Sequence, residues 1–165
     1  LKLYFRDNFF NAGVTEIMNG AGERAGEVDL RSLLGSGLDV YGADGSLAHS
    51  GGFPLLSGKW GVSGPSGESV GQLRARMSFL TKRFEYEAYG RGVYEIEAGA
   101  FSQEYRIADE SGNPAAEFVK VSGFFEASAY ALATYDDAVG AYEWVAVILG
   151  MHEIQKRRRN AQNTM

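Results

Sequence analysis

The chain has 165 residues, enough for one domain with a sizeable core, and its 45% hydrophobic and 22% charged content is that of an ordinary globular protein. It holds no cysteine, which excludes disulfides, thiolate metal sites and cysteine nucleophiles. A net charge of −5 argues against general nucleic-acid binding.

Along the first residues, Lys2, Arg6 and Asp7 fall where a signal peptide would need its apolar segment. The expectation is a cytoplasmic protein, with peripheral attachment at the inner membrane face left open. Twenty-two glycines against three prolines point to tight turns, not disorder. Four segments align without gaps: Ile17 to Gly22, Val40 to Gly45, Val62 to Gly67 and Ile107 to Gly112. Each starts on a β-branched residue and ends on glycine. The glycines are 23, 22 and 45 positions apart, and Tyr89 to Gly92 falls in the middle of the double gap. This pattern predicts a strand, a turn with positive φ at the glycine, and a returning strand.

A second echo pairs Phe9-Phe10 with Leu33-Leu34, with Leu55-Leu56 as a shortened copy. From Val70 to Phe79 the residues alternate, with Arg74 and Arg76 on one side and Leu73, Ala75 and Met77 on the other. Phe84 to Ala88 and Val93 to Glu97 place rings and aliphatics on one face and carboxylates on the other. About twelve strands precede Asp136. Their even spacing predicts a mainly β protein, a closed antiparallel barrel that leaves no exposed strand edge.

The last thirty residues differ. Asp136 or Asp137 is the expected helix N-cap, and Ala138 to Ile154 is apolar nearly all round. Such a helix must be enclosed or lie in a membrane. The apolar run is shorter than the roughly 20 residues of a transmembrane span and is broken by Glu143, so a buried central helix is predicted. The division is a barrel over about 1–135 and a core helix over about 137–159 within one domain, 1–165. Lys156 to Arg159 either compensate the negative end of the helix dipole, the preferred reading, or contact a membrane surface or an anionic ligand. Glu143 either stays wet near the barrel mouth, the preferred reading, or joins a structural ion pair.

Glycine hairpins followed by a C-terminal apolar helix resemble the tubby C-terminal-like superfamily, and most closely its LURF-one-related branch with small bacterial single-domain members. The resemblance is carried by Phe9 to Gly13, Ile17 to Gly22, Leu33 to Gly37, Val40 to Gly45 and Ala138 to Arg159, and covers essentially the whole chain. It implies a twelve-stranded barrel threaded by a hydrophobic helix. Tubby domains bind phosphoinositide head groups through basic exterior side chains, and phospholipid scramblases form a further branch. The LURF-one-related branch implies no particular activity.

Chemistry-bearing constellations are sparse. His49 reads as a surface strand residue, and His152-Glu153 begins like HExxH without the second histidine. Glu85/Glu87 and Glu95/Glu97 read as a solvated strand face. No cofactor, no metal and no catalytic residues are expected. The best cluster is Arg74, Arg76, Lys82 and Arg83, where two guanidinium groups on one strand face can bracket a phosphate, with Phe79 and Phe84 as nearby apolar surface. The expected function is a non-enzymatic module binding an anionic phospholipid or membrane surface. The alternative is a cytoplasmic protein-interaction or scaffold barrel.

Overall fold

The structure, a computed structural model, describes residues 1–11, 13–31, 37–76, 82–98, 103–122 and 128–163. Leu33, Leu34, Met77 and Phe79 lie outside the described residues. Twelve strands precede one helix: β1 Lys2–Arg6, β2 Gly13–Met18, β3 Arg24–Arg31, β4 Gly37–Tyr41, β5 Leu47–Gly52, β6 Trp60–Ser63, β7 Ser69–Arg76, β8 Lys82–Ala88, β9 Gly92–Ala98, β10 Tyr105–Ala108, β11 Pro114–Val121, β12 Ala129–Thr134 and α1 Ala141–Asn163. Each strand pairs antiparallel with its neighbours in sequence, and β1 closes the barrel on β12. This is the closed twelve-strand barrel that the turn spacing predicts.

The repeat is a bulged hairpin. Gly22, Gly45, Gly67 and Gly112 all take φ between 78° and 84°, in the left-handed region that glycine enters without a Cβ clash. In each, the glycine N–H returns to the carbonyl three residues back, as Gly45 does to Gly42 at 3.0 Å. The register slips by one at the same place in all four, between Ile17 and Met18, Val40 and Tyr41, Val62 and Ser63, and Ile107 and Ala108. A turn followed by a left-handed glycine bulge strengthens strand twist, which assists closure.

Eight strands leave just enough room for side chains, and twelve leave a wider interior. That interior takes α1, which is buried continuously from Trp144 to Met151. Glycines let the helix approach the wall. The Trp60 indole lies between Gly51 of β5 and Gly150 of α1, and a Cβ on either glycine would come within 3.0 Å of the ring. Trp60 Nε1 donates to the Ala146 carbonyl at 3.1 Å, so its one polar atom is satisfied in the core.

Three expectations about the helix are corrected. It begins at Ala141, with Trp144 N–H bonding the Gly140 carbonyl at 3.1 Å. Asp136 instead accepts from the Ala138 N–H at 3.0 Å in a local turn; an Asp side chain reaching its own backbone two residues on makes an Asx turn, not a cap. The helix also runs on to Asn163, so Lys156 to Arg159 precede its last turn. Glu143 is not wet: it is 2% exposed. Its carboxylate takes two hydrogen bonds from Arg91, at 2.6 and 2.8 Å, and one from the Tyr86 hydroxyl. Arg91 comes from the β8–β9 turn and also donates to the Val70 and Ala138 carbonyls. The hydrogen bonds to Glu143, and after them its negative charge, raise the Arg91 pKa against the opposing effect of burial, and burial raises that of Tyr86.

Candidate functional site

The two ends of the barrel differ in charge. At the end where α1 enters, the turns between β2 and β3, β4 and β5, β6 and β7, β8 and β9, and β10 and β11, with the β12–α1 connection, carry Glu23, Asp44, Glu68, Asp109, Glu110, Asp136 and Asp137. Arg91 is the one basic side chain among them. Several of these acids have local roles: Asp44 and Asp109 accept turn N–H groups, and hydrogen bonds from Ser46 and Asn113 lower their pKa values. At the opposite end, where α1 emerges, lie Lys59, Arg76, Lys82, Arg83 and the block Lys156 to Arg159. From Ala141 to Lys156 and Arg159 the helix rises about 23–27 Å, roughly three screening lengths at physiological salt. A net charge of −5 thus conceals an excess of bases at the helix-exit end, which also holds Asp7 and Glu104, and an excess of acids at the other, which also holds Lys2 and Arg24.

The four basic residues singled out in the sequence reach this end, but not as one group. Arg74 and Arg76 stand on the outer wall of β7, and both bridge the Glu85 carboxylate of β8. Glu85 is therefore covered, at 8% exposure, and is not part of a solvated face. The hydrogen bond from Arg74, and after it the charges of Arg74 and Arg76, lower its pKa against the opposing effect of burial. The two guanidinium groups stay about half exposed, and their remaining N–H donors are held side by side. Arg83 pairs opposite Arg76 in the register and bridges Glu97 at 2.9 Å.

Lys82 is set apart. It shares the inner face of β8 with Phe84 and Tyr86, and its ammonium donates to Gln155 of α1 at 3.3 Å. Phe84 is likewise turned inward, 4% exposed, and offers no surface to a membrane; the strand alternation that faces Arg83 outward turns Phe84 into the core.

A groove of about 510 Å³ opens farther round the wall, over β9 to β11. Glu95, Glu97, Arg106, Glu117 and Tyr135 line it. Arg106 stands opposite Glu97 on one side and Glu117 on the other, so its charge is locally balanced.

Neither histidine lies on a free surface. His49 is half-buried with Nδ1 unpaired, and burial lowers its pKa. His152 stacks near Phe10, with ring centroids 4.8 Å apart. Burial, then Arg159, Lys156 and Lys82, push its pKa from 6.5 down to about 4. The unfolded chain therefore takes up the proton first. Stability is expected to be full above pH 6.5 and to fall as pH drops from 6.5 toward 4. Thermal melts across that window test this: His152→Gln should flatten the slope, and an unchanged slope refutes the assignment.

Among the described residues, no group of three or more His, Cys, Asp or Glu side chains could hold a metal ion, and no helix is long and apolar enough to cross a membrane. No protein family and no curated protein matches the sequence. The fold has a match among solved structures. A crystal structure of a protein from Arabidopsis thaliana superposes with a TM-score of 0.63 over 93% of this chain and 90% of that one, at 9% identity. At that identity the likeness shows the fold alone. It is consistent with the closed barrel around a C-terminal helix that the hairpins and the apolar run predict.

Two features, one at each end of the barrel, were not found from the sequence. Arg91 was legible in principle, as the one base among acidic hairpin tips. The exposure of Leu55 and Leu56 was not, because Phe9 and Phe10, their counterparts in the echo, are buried.

Proposed function

We propose that this protein is a non-enzymatic binding barrel of the tubby C-terminal-like type that docks on an anionic phospholipid surface through its helix-exit end. The observation that carries the reading is the separation of charge along the barrel axis. A uniformly acidic barrel would be repelled by anionic lipid. Here the acids of the turn end lie several screening lengths from a surface touched by the other end. Arg74, Arg76 and Arg83 supply half-exposed guanidinium groups at its rim, and Glu85 fixes the first two side by side so that less freedom is lost on binding a phosphate. Lys82 supports this end from within the mouth.

Co-sedimentation with phosphatidylcholine vesicles, with and without one-fifth phosphatidylserine, tests the reading. Binding is expected only with the anionic lipid and should weaken as salt rises. With each basic residue near the surface contributing about 1 kcal/mol, Arg74→Gln with Arg76→Gln should lower partitioning about 30-fold. Equal binding to neutral vesicles, or none to either, would refute it. The mixed-charge groove with Tyr135 favours the second reading, a protein-interaction barrel, and such a partner would bind independently of Arg74 and Arg76.

A further inference from the structure

We infer that the β5–β6 loop is a membrane-inserting tip, in which Leu55 and Leu56 enter the acyl boundary of an anionic bilayer while Lys59 and Arg157 hold its head groups. This rests on the membrane reading above and assigns it an apolar contact that the arginines of the outer wall do not provide.

Leu55 and Leu56 are 92% and 99% exposed, the two most exposed large hydrophobic side chains among the described residues. Single exposed leucines are common, but an adjacent pair at a tip is not explained by packing. The pair forms the two corners of a turn closed by Ser57 N–H on the Pro54 carbonyl at 3.0 Å. Leu56 takes φ of 61°, the one non-glycine residue with positive φ among those described. That region suits glycine or asparagine, and a leucine there crowds its Cβ against the following carbonyl. The turn therefore holds an apolar side chain in water at a position where the backbone itself disfavours it. Strain and exposure at one residue are the mark of a constraint outside the fold.

The loop is not loose at its base. Phe53 packs edge-on to Trp60, with ring centroids 5.1 Å apart, and the Arg157 guanidinium lies 3.6 Å over the Phe53 ring. Arg157 also donates to the Ser57 carbonyl at 3.4 Å. The apolar tip and the basic helix end are thus one surface. Apolar side chains with cations at their base match the two layers of an anionic bilayer: hydrocarbon within and phosphate at the rim. An acidic protein partner would satisfy the cations but leave two leucines facing its charges.

The test uses the whole chain and vesicles of phosphatidylcholine with one-fifth phosphatidylserine. Leu55→Ser with Leu56→Asn suits the turn, so it should fold, as circular dichroism will show; partitioning is expected to fall on the order of 100-fold. Leu55→Trp adds an exposed reporter to a chain whose own Trp60 and Trp144 are fully buried. Its emission should shift to the blue on vesicles and be quenched by brominated acyl chains. If the unmodified chain binds and the double variant partitions equally, or the reporter is not quenched, insertion is wrong while the electrostatic reading stands. If the unmodified chain does not bind these vesicles, both fall.

Discussion

Arg91→Ala is expected to destabilise the fold by about 3–5 kcal/mol, because it leaves the Glu143 carboxylate buried without its counter-charge. For a chain of this size that is a fall in melting temperature of about 10 °C. The Tyr86 hydroxyl alone does not replace a guanidinium group that donates to both carboxylate oxygens. Glu143→Gln should cost less, since the amide oxygen still accepts from Arg91 or Tyr86. Replacing both partners by leucine should cost less than Arg91→Ala alone, because no charge is then left buried. Thermal and urea unfolding of the four proteins decides it; an Arg91→Ala cost below 1 kcal/mol would show that water reaches Glu143. The network also ties β7, through the Val70 carbonyl, and the β8–β9 turn to the first turn of the helix, so its loss should loosen the helix at its entry end.

The second large effect is expected at Trp60, whose truncation to alanine should cost about 3–5 kcal/mol. The indole fills the space between β5 and α1, and its N–H satisfies a helix carbonyl. The same contact makes a sign test at Gly150. In a helix interior alanine is ordinarily favoured over glycine by about 1 kcal/mol. Here the added Cβ would meet the Trp60 ring within 3.0 Å, so Gly150→Ala should destabilise, by about 1–3 kcal/mol. In a Trp60→Ala background the same change should be neutral or stabilising. A stabilising Gly150→Ala in the presence of Trp60 would show that the helix shifts within the barrel to absorb it.

These tests concern the barrel itself; the membrane reading concerns its rim. The two are separable because Leu55 and Leu56 contribute nothing to the core, whereas Arg74 and Arg76 also pair the covered Glu85 carboxylate. The Leu55 and Leu56 variants should leave stability near that of the unmodified chain, and Arg74→Gln with Arg76→Gln should lower it modestly by unpairing Glu85; the Arg91 and Trp60 variants should lower it without altering the exposed charge of the helix-exit end. Arg91 is itself at the acidic end, so its loss moves net charge away from the proposed contact.

Much of the fold is a local property and was therefore legible in the sequence. A turn that requires positive φ selects glycine at one position, so repeated hairpins leave repeated glycines at even spacing. Alternation along Phe84 to Ala88 states which side chains face inward, and the apolar run before Lys156 states that the helix must be enclosed. From these, strand number, closure and the central helix follow. Pairing across the barrel is not local. Nothing near Glu143 in the sequence shows that Arg91 lies beside it, because the two meet only when the β8–β9 turn folds over the entering helix. The helix start was misplaced for a similar reason: Asp136 and Asp137 have capping chemistry, but the chain needs several residues to cross from β12 to the barrel axis before α1 can begin. The role of Arg74 and Arg76 depends equally on register, which sets Glu85 between them. Leu55-Leu56 echoes Phe9-Phe10 in sequence, yet only the tertiary structure buries one pair and exposes the other, because burial depends on where a connection lies relative to the barrel mouth.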